Sequence, residues 1–155
     1  MFWRKRRTPF VRPEAPREVT LAALGFVRGS VTRPRPHGWA DVESEILFET
    51  QHAPMLAGLE SYSHALVTFY MDLAANAPEK PVEVTTQNGN QFGILASRSQ
   101  LRPNHLGVSA VRLLGVDGAV VRVRGLDAID GTPVLDIKPY LPEYDAHPSA
   151  TIPQS

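Results

Sequence analysis

Ser97–Ser109, which reads SRSQLRPNHLGVS, carries more polar side chains than a strand or a simple turn requires. Two arginines, an asparagine and serines lie around Pro103 and Gly107. Because proline fixes φ and a guanidinium offers a planar set of donors, this loop can present a rigid donor array to an anionic or carboxylate-bearing ligand. The alternative is a solvated turn with exposed arginines, which is the commoner arrangement.

A second polar stretch, GLDAIDGTPVLDIKPY, ends in a predicted strand. With a period of two, Val134, Asp136 and Lys138 share one face of this strand, and Leu135 and Ile137 share the other. A carboxylate beside an ammonium is costly to bury unless the two groups are used together. The alternative is a surface ion pair, which contributes at most about 1 kcal/mol.

Asp127 lies in the same stretch, just before the turn predicted at Asp130-Gly131. An aspartate in this place either caps the turn through its own backbone or offers a carboxylate to a ligand. The residues alone favour neither interpretation.

Several common kinds of site are excluded. No G-x-G-x-x-G opens a helix after a strand and no G-x-x-x-x-G-K occurs, so a Rossmann or P-loop nucleotide site is not expected. The five histidines lack zinc-ligand spacing, and the chain has no cysteine, so we expect no metal and no disulfide. A Ser-His-Asp triad stays open, but no nucleophile elbow is present. With no membrane-length apolar run and no signal peptide, we expect a cytoplasmic protein.

The formal charge of the 155 residues is zero, but the charges are segregated. Residues 1–39 hold nine basic and two acidic side chains, and residues 98–124 hold five arginines and one aspartate. Blocks of one sign steer an anionic partner even when the total is neutral. We therefore predict tRNA as a possible partner. The alternative is that the basic N-terminal residues serve only as a solubilising tail.

Short segments of β-forming residues with regular turn signals predict a mainly β, single-domain antiparallel barrel or sandwich with few short helices. We expect a basic, flexible arm over residues 1–17, the domain over 18–146 and a flexible tail over 147–155. A turn of helix is predicted at Pro54–Glu60, and His64–Leu73 is long enough to be a helix instead of a strand. The predicted strands are Val19–Val27, Asp41–Thr50, His64–Leu73, Val82–Thr86, Phe92–Ala96, Val108–Leu114, Ala119–Arg124 and Val134–Lys138.

Residues 93–140 resemble the central motif of the TsaA-like (TrmO-type) family. The matching pieces are SRSQLRPN in the first polar stretch and LDAIDGTPVLDIKPY in the second, separated by a hairpin. Two further segments show weaker similarity to the family: LGFVRGS at Leu24–Ser30 and GLESYSH at Gly58–His64. The resemblance implies an S-adenosylmethionine-dependent methyltransferase built on a β-barrel and not on a Rossmann sheet. It also implies a homodimer that methylates the exocyclic amine of threonylcarbamoyl-adenosine beside the tRNA anticodon.

Carried over residue by residue, the resemblance implies a set of functional positions. Arg98 is expected to take the methionine carboxylate, and Asp127 a ribose hydroxyl or the amino group. Asp136 and Lys138 either orient the acceptor and relay its proton or only hold the last strand and the dimer interface. The cofactor contacts are Arg98, Val108, Leu126, Asp127, Ala128, Asp72 and Leu73. Apart from the resemblance, the candidates for substrate binding are Arg102 and Asn104 in the polar loop and Arg33 and Arg35 in the basic first segment.

Three departures from the family pattern bear on the acceptor. His105 replaces the usual proline after R-P-N, and Gln87–Asn90 stands where tRNA-modifying relatives carry a run of arginine and proline. The early segment TRPRPHGW is only loosely similar to the family's P-R-Q-P. Two alternatives therefore stay open: a methyltransferase for a small-molecule acceptor, and a non-catalytic module that binds S-adenosylmethionine.

Overall fold

Six strands close into an antiparallel barrel, with a separate two-stranded sheet beside it. The structure, a computed structural model, describes residues 9–153. The order around the barrel is β1-β2-β7-β6-β3-β8, and β4 pairs with β5. The mainly β fold and the barrel predicted above are confirmed. The strands are β1 (Gly25–Gly29), β2 (Glu43–Phe48), β3 (His64–Tyr70), β4 (Glu83–Thr85), β5 (Gln91–Gly93), β6 (Leu106–Asp117), β7 (Val120–Arg124) and β8 (Pro133–Pro139).

The barrel interior is filled by the side chains that point inward at every second position of each strand. In β2, Ile46 and Phe48 are buried while Glu43 and Glu45 before them reach outward, as the alternation predicts. In β7, Val121 and Val123 have no exposed surface and the arginines beside them face outward. Apolar burial of this kind contributes about 25 cal/mol per Å² and is the main stabilising term of the domain.

The hairpin between β6 and β7 is confirmed, but its turn is shorter than predicted, because β6 continues past Leu114 to Asp117. Asp117 pairs with Val120, and the turn is Gly118-Ala119, in which Gly118 has a φ of 58° that glycine adopts without steric cost. The register slips by one residue between Leu113 and Gly115, so β6 carries a bulge.

Within the part of the chain that the structure describes, helix is confined to short pieces. One turn of α-helix, α1 (Asp72–Ala75), follows β3, so the predicted strand His64–Leu73 ends early, at Tyr70. The predicted strand Phe92–Ala96 is wrong for its second half, because the chain leaves β5 and forms a 3-10 turn at Ile94–Ala96. The remaining helical pieces are 3-10 turns at Thr50–Leu56 and Leu59–Ser61 and α2 (Pro142–Asp145).

The first strand begins later than the apolar run predicts. Val19 is 73% exposed and Leu21 is 61% exposed, and β1 starts only at Gly25. Gly25 pairs with Phe48, the last residue of β2, after which the chain turns away. Leu24 still bonds to Val134 and packs partly against the core, but Val19 and Leu21 lie beyond the paired residues and stay exposed. Residues 9–17 have no helix or strand, and the first eight residues of the predicted arm lie outside the described part of the chain.

The last strand contains a bulge that breaks its period of two. Phe69 of β3 pairs with Val134 and Thr68 pairs with Asp136, so one extra residue lies between the two pairs on β8. Val134 is fully buried, and Ile137 packs against the same core. The prediction that Val134 shares a face with Asp136 is therefore wrong.

Candidate functional site

A cleft of about 970 Å³ lies at the end of the barrel where β3 ends and where β6 and β8 begin. Four segments of the chain form its walls: the connection between β1 and β2, the end of β3 with α1, the loop before β6, and the connection between β7 and β8. Antiparallel pairing brings these segments to one end of the barrel although they are far apart in sequence. The sequence-predicted residues in the lining are Arg35, Asp72, Leu73, Arg98, Arg102, Asn104, Val108, Asp127 and Ala128.

Two arginines shape the loop before β6 while lining the cleft. Arg98 donates from Nη2 to the carbonyl oxygen of Val108, at 3.1 Å. Arg102 donates from Nη1 to the carbonyl oxygen of Ser97, at 2.9 Å. Each guanidinium has five N–H donors, so both retain donors for a ligand. The two side chains thus hold the loop and place fixed positive charge in the cleft.

Asp127 is held in place by a buried hydroxyl. Ser109, 8% exposed on β6, donates from Oγ to Oδ1 of Asp127. The neighbours of Asp127 are turned inward: Leu126 has no exposed surface and belongs to the core, and Ala128 is 5% exposed. Anchored on both sides, the exposed carboxylate projects into the cleft with one oxygen oriented by Ser109. Leu126 can therefore face a ligand only through its backbone.

The turn after β3 contributes a second carboxylate. Asp72 and Leu73 open α1 and both line the cleft, and the side chain of Leu73 is 55% exposed. The helix begins here because β3 loses its partner strands: its last pair is Tyr70 with Leu106. An acidic group in the first turn of a helix also suits the local backbone dipole.

The connection between β1 and β2 supplies an aromatic wall that the sequence analysis missed. Trp39 lines the cleft, and its indole Nε1 donates to the carbonyl oxygen of Arg35 at 3.1 Å. The guanidinium carbon of Arg35 lies 4.9 Å from the Trp39 ring centre, within cation–π range. Arg35 also donates to the carbonyl oxygen of Gly38, at 2.6 Å. The tryptophan of TRPRPHGW was the available signal, but nothing in its spacing placed it in the cleft.

The other predicted positions lie elsewhere. Arg33 is exposed and is outside the cleft lining. Lys138 Nζ and Asp136 Oδ2 form an ion pair at 2.5 Å, with both side chains substantially exposed. The pair lies on the outer face of the barrel, where Asp136 is opposite Thr68 and Thr68 is opposite Val108. Two strand spacings, roughly 10 Å, therefore separate Asp136 from Val108, which lines the cleft.

The cleft combines opposite charges with apolar surface. Arg35, Arg98 and Arg102 supply cations, Asp72 and Asp127 supply carboxylates, and leucine, valine and tryptophan side chains line the space between them. This set suits a ligand that has a carboxylate, an amine, hydroxyl groups and a flat ring. Within residues 9–153 no three His, Asp or Glu side chains are grouped so that they could hold a metal ion. No helix of the described chain is long and apolar enough to cross a membrane.

Known proteins resemble this chain in sequence and in structure. The S-adenosyl-L-methionine-binding protein of Archaeoglobus fulgidus is 38% identical over 112 residues, 72% of this chain and 79% of that protein. The tRNA (adenine(37)-N6)-methyltransferase of Mus musculus is 38% identical over 106 residues, 68% of this chain and 24% of that enzyme. The crystal structure of TrmO from Pseudomonas aeruginosa superposes with a TM-score of 0.69 at 30% identity, covering 86% of this chain and 61% of the other.

The matches differ in how much of each relative the chain covers. It spans less than a third of the mouse enzyme but most of the A. fulgidus protein. The model of the tRNA-methyltransferase O N-terminal domain matches residues 29–146. That range contains all four walls of the cleft and seven of the eight strands in full. The chain belongs to the tRNA-methyltransferase O (TrmO, TsaA-like) family.

Proposed function

We propose that this protein is an S-adenosylmethionine-dependent methyltransferase that acts on the exocyclic amine of adenosine, or threonylcarbamoyl-adenosine, beside the tRNA anticodon. Family membership and the activity named for the mouse relative support this proposal. The observation that carries it is the cleft, in which Arg98 and Asp127 converge from the two polar motifs onto one space.

The residues present fit the cofactor. The guanidinium groups of Arg98 and Arg102 suit its carboxylate, and Asp127, oriented by Ser109, suits a ribose hydroxyl or the amino group. The side chains of Leu126 and Ala128 are turned inward, so they do not cover the backbone N–H and C=O groups of this segment. These backbone groups can therefore hydrogen-bond to the edge of the adenine ring. When bound, the cofactor supplies an electrophilic methyl group on a positively charged sulfur.

The wall formed by the connection between β1 and β2 is assigned to the acceptor. Trp39 offers a flat ring for a base, Arg35 offers donors on the same wall, and Asn104 offers an amide from the loop before β6. The 970 Å³ volume lies near the top of the range, roughly 300–1,000 Å³, that a single ligand commonly occupies. It therefore leaves room for the reacting part of a nucleoside. Holding the amine and the methyl donor in line is the main contribution such a cleft can make.

Transfer of a labelled methyl group tests the proposal. The full chain is incubated with labelled S-adenosylmethionine and either total tRNA from a strain lacking its own enzyme of this type or a small-metabolite extract. We expect label in tRNA adenosine, and none with the Asp127→Ala variant. Label only in the metabolites would favour the small-molecule alternative. Cofactor binding without transfer to either pool would favour the non-catalytic module.

We further propose that two copies associate through the outer face of β3 and β6. Leu66, Val108 and Ala110 lie together there, and Leu106 and Val108 are 37% and 46% exposed. Val108 also lines the cleft, so a second copy on this face would shield its rim from water. Light scattering is expected to give twice the chain mass, falling to one chain for Ala110→Glu but not for Arg122→Glu on β7. A monomeric wild type would overturn this assignment.

The cellular location is also part of the proposal. We assign the protein to the cytoplasm, where both tRNA and S-adenosylmethionine are available. Fractionation of cells carrying a tagged chain tests this, and recovery with membranes would contradict it.

A further inference from the structure

His105 has an unusual backbone and a buried ring beside the cleft. Its φ is 51°, and within residues 9–153 no other residue except glycine has a positive φ. The side chain is buried, at 7% exposure, although histidine is polar. A left-handed backbone costs a residue with a Cβ roughly 1–3 kcal/mol, so surrounding contacts must hold it. Proline, which the family pattern places here, has φ fixed near −65° and cannot adopt this conformation.

Three hydrogen bonds hold His105. Its Nδ1 lies 3.1 Å from the carbonyl oxygen of Gln100, and because a carbonyl only accepts, this nitrogen carries the proton and donates. Its backbone N–H donates to the carbonyl oxygen of Arg102 at 3.1 Å. Its own carbonyl oxygen accepts from the backbone N–H of Met71 at 2.8 Å. Its ring and that of Tyr70 lie nearly perpendicular, with the ring centres 6.3 Å apart.

The partners of His105 belong to two different walls of the cleft. Gln100 and Arg102 line it from the loop before β6, and Met71 lines it from the end of β3, immediately before Asp72. His105 itself is outside the lining. His105 therefore joins the loop that carries Arg98 and Arg102 to the segment that carries Asp72 without touching the space that a ligand would occupy. Its backbone carbonyl makes the hydrogen bond to Met71, and its ring bonds Gln100 within the loop and lies beside Tyr70 of β3.

We propose that His105 is a positioning residue: its imidazole, bonded to the backbone of Gln100 and lying edge to face with Tyr70 of β3, holds the loop of residues 97–104 in its binding conformation and thereby sets the affinity of the cleft for S-adenosylmethionine. This inference rests on the proposed function for the identity of the ligand. The physical basis is that a loop held in its binding conformation pays no ordering cost when the ligand arrives. Loss of the ring frees Gln100 and, with it, the neighbours that face the cleft.

Two substitutions separate the ring from the backbone. His105→Gly keeps a residue that accepts a φ of 51° and removes only the side chain, so the left-handed turn is retained without strain. His105→Asn tolerates the same φ and restores an amide donor directed at Gln100. Val121→Ala, a core substitution in β7 away from the cleft, is the control for general loss of stability.

Calorimetry with S-adenosylmethionine and hydrogen exchange of the full chain give the readouts. We expect His105→Gly to raise the Kd about tenfold and His105→Asn to stay within about threefold of wild type, as for losing and restoring one buried hydrogen bond. Val121→Ala is expected to lower the melting temperature and leave the Kd unchanged. Amides of residues 97–104 are expected to exchange faster in His105→Gly alone.

Each outcome bears on one claim. A His105→Gly variant that binds like wild type, with unchanged exchange in residues 97–104, would overturn the role of His105. A Kd raised equally by Val121→Ala would also overturn it, because the effect would then follow stability. Failure of the wild type to bind S-adenosylmethionine would remove the proposed function, and the exchange of residues 97–104 would still decide whether His105 positions the loop.

Discussion

At the residue scale, Arg98 is the strongest test of the cofactor assignment. Its side chain lines the cleft and donates to the carbonyl oxygen of Val108, so it both carries charge and holds the loop. A hydrogen bond to a charged group contributes roughly 1.5–3 kcal/mol. Arg98→Ala is therefore expected to raise the Kd for S-adenosylmethionine by about 10-fold to 150-fold in calorimetry. Arg122→Ala on the outer face is the matched control, and an unchanged Kd in Arg98→Ala would contradict the assignment.

The ion pair of Asp136 and Lys138 gives the opposite expectation. Both side chains are exposed and lie outside the cleft lining, so we assign them to the outer surface and not to proton transfer. An exposed pair contributes about 0–1 kcal/mol. The double variant Asp136→Asn, Lys138→Met is expected to keep kcat for tRNA methylation within about twofold of wild type. A fall in kcat of a hundredfold or more, with folding intact, would show that the pair takes part in the reaction.

Sequence could predict some of these residues but not others. Arg98 and Asp127 occur in polar motifs that already suggest a binding site, and the structure brings both to one cleft. Trp39 lies outside these motifs, and His105, although it lies within the first of them, has no residue type or spacing that predicts its role. Their roles depend on an aromatic ring held over a cleft and on a left-handed backbone, and both features arise from how distant segments pack.

At the scale of elements, the close contact of β6 with β3 fixes the cleft floor. A Cβ added to Gly107 would lie 2.3 Å from Cε2 of Phe69, far below contact distance. Gly107→Ala is therefore expected to lower the free energy of unfolding by about 1–3 kcal/mol, measured by urea denaturation. Gly93→Ala in β5, where an added Cβ meets nothing within 4 Å, is expected to change it by less than about 0.5 kcal/mol. Equal stability of the two variants would argue against this packing.

The strands themselves were largely predictable, and their ends were not. Alternation identifies β2 and β7 because one face of each is buried in the barrel. The late start of β1 and the bulge in β8 depend on which neighbouring strand is present at each position. A local pattern contains no information about that neighbour, so the face of Val134 was assigned wrongly.

At the scale of the whole molecule, charge segregation predicts how tRNA binding responds to salt. The logarithm of the binding constant falls linearly with the logarithm of the salt concentration, and each phosphate contact makes the slope steeper by about 0.7–0.9. Replacing the basic residues of the first seventeen positions by alanine is expected to weaken tRNA binding and to make this slope shallower by about 2 or more, measured by filter binding at several salt concentrations. The residues are Arg4, Lys5, Arg6, Arg7, Arg12 and Arg17.

A change of the opposite sign, at Glu14 in this segment and at Glu18 directly after it, is the control. Glu14→Gln with Glu18→Gln removes two negative charges and is expected to leave tRNA binding equal or tighter, because repulsion from phosphate is relieved. An unchanged salt slope after loss of the six basic side chains would assign the segment to solubility instead of RNA.

The sequence by itself determined the mainly β class, most of the strands, the family and the two motifs that meet in the site. These properties follow from local periodicity and from residue types, which are present in the chain before it folds. Only the tertiary structure decided that Trp39 joins Arg98 and Asp127, that His105 links two walls, and that Asp136 and Lys138 lie outside. The physical reason is that closing an antiparallel barrel brings distant connections to one end, and this depends on strand order and register.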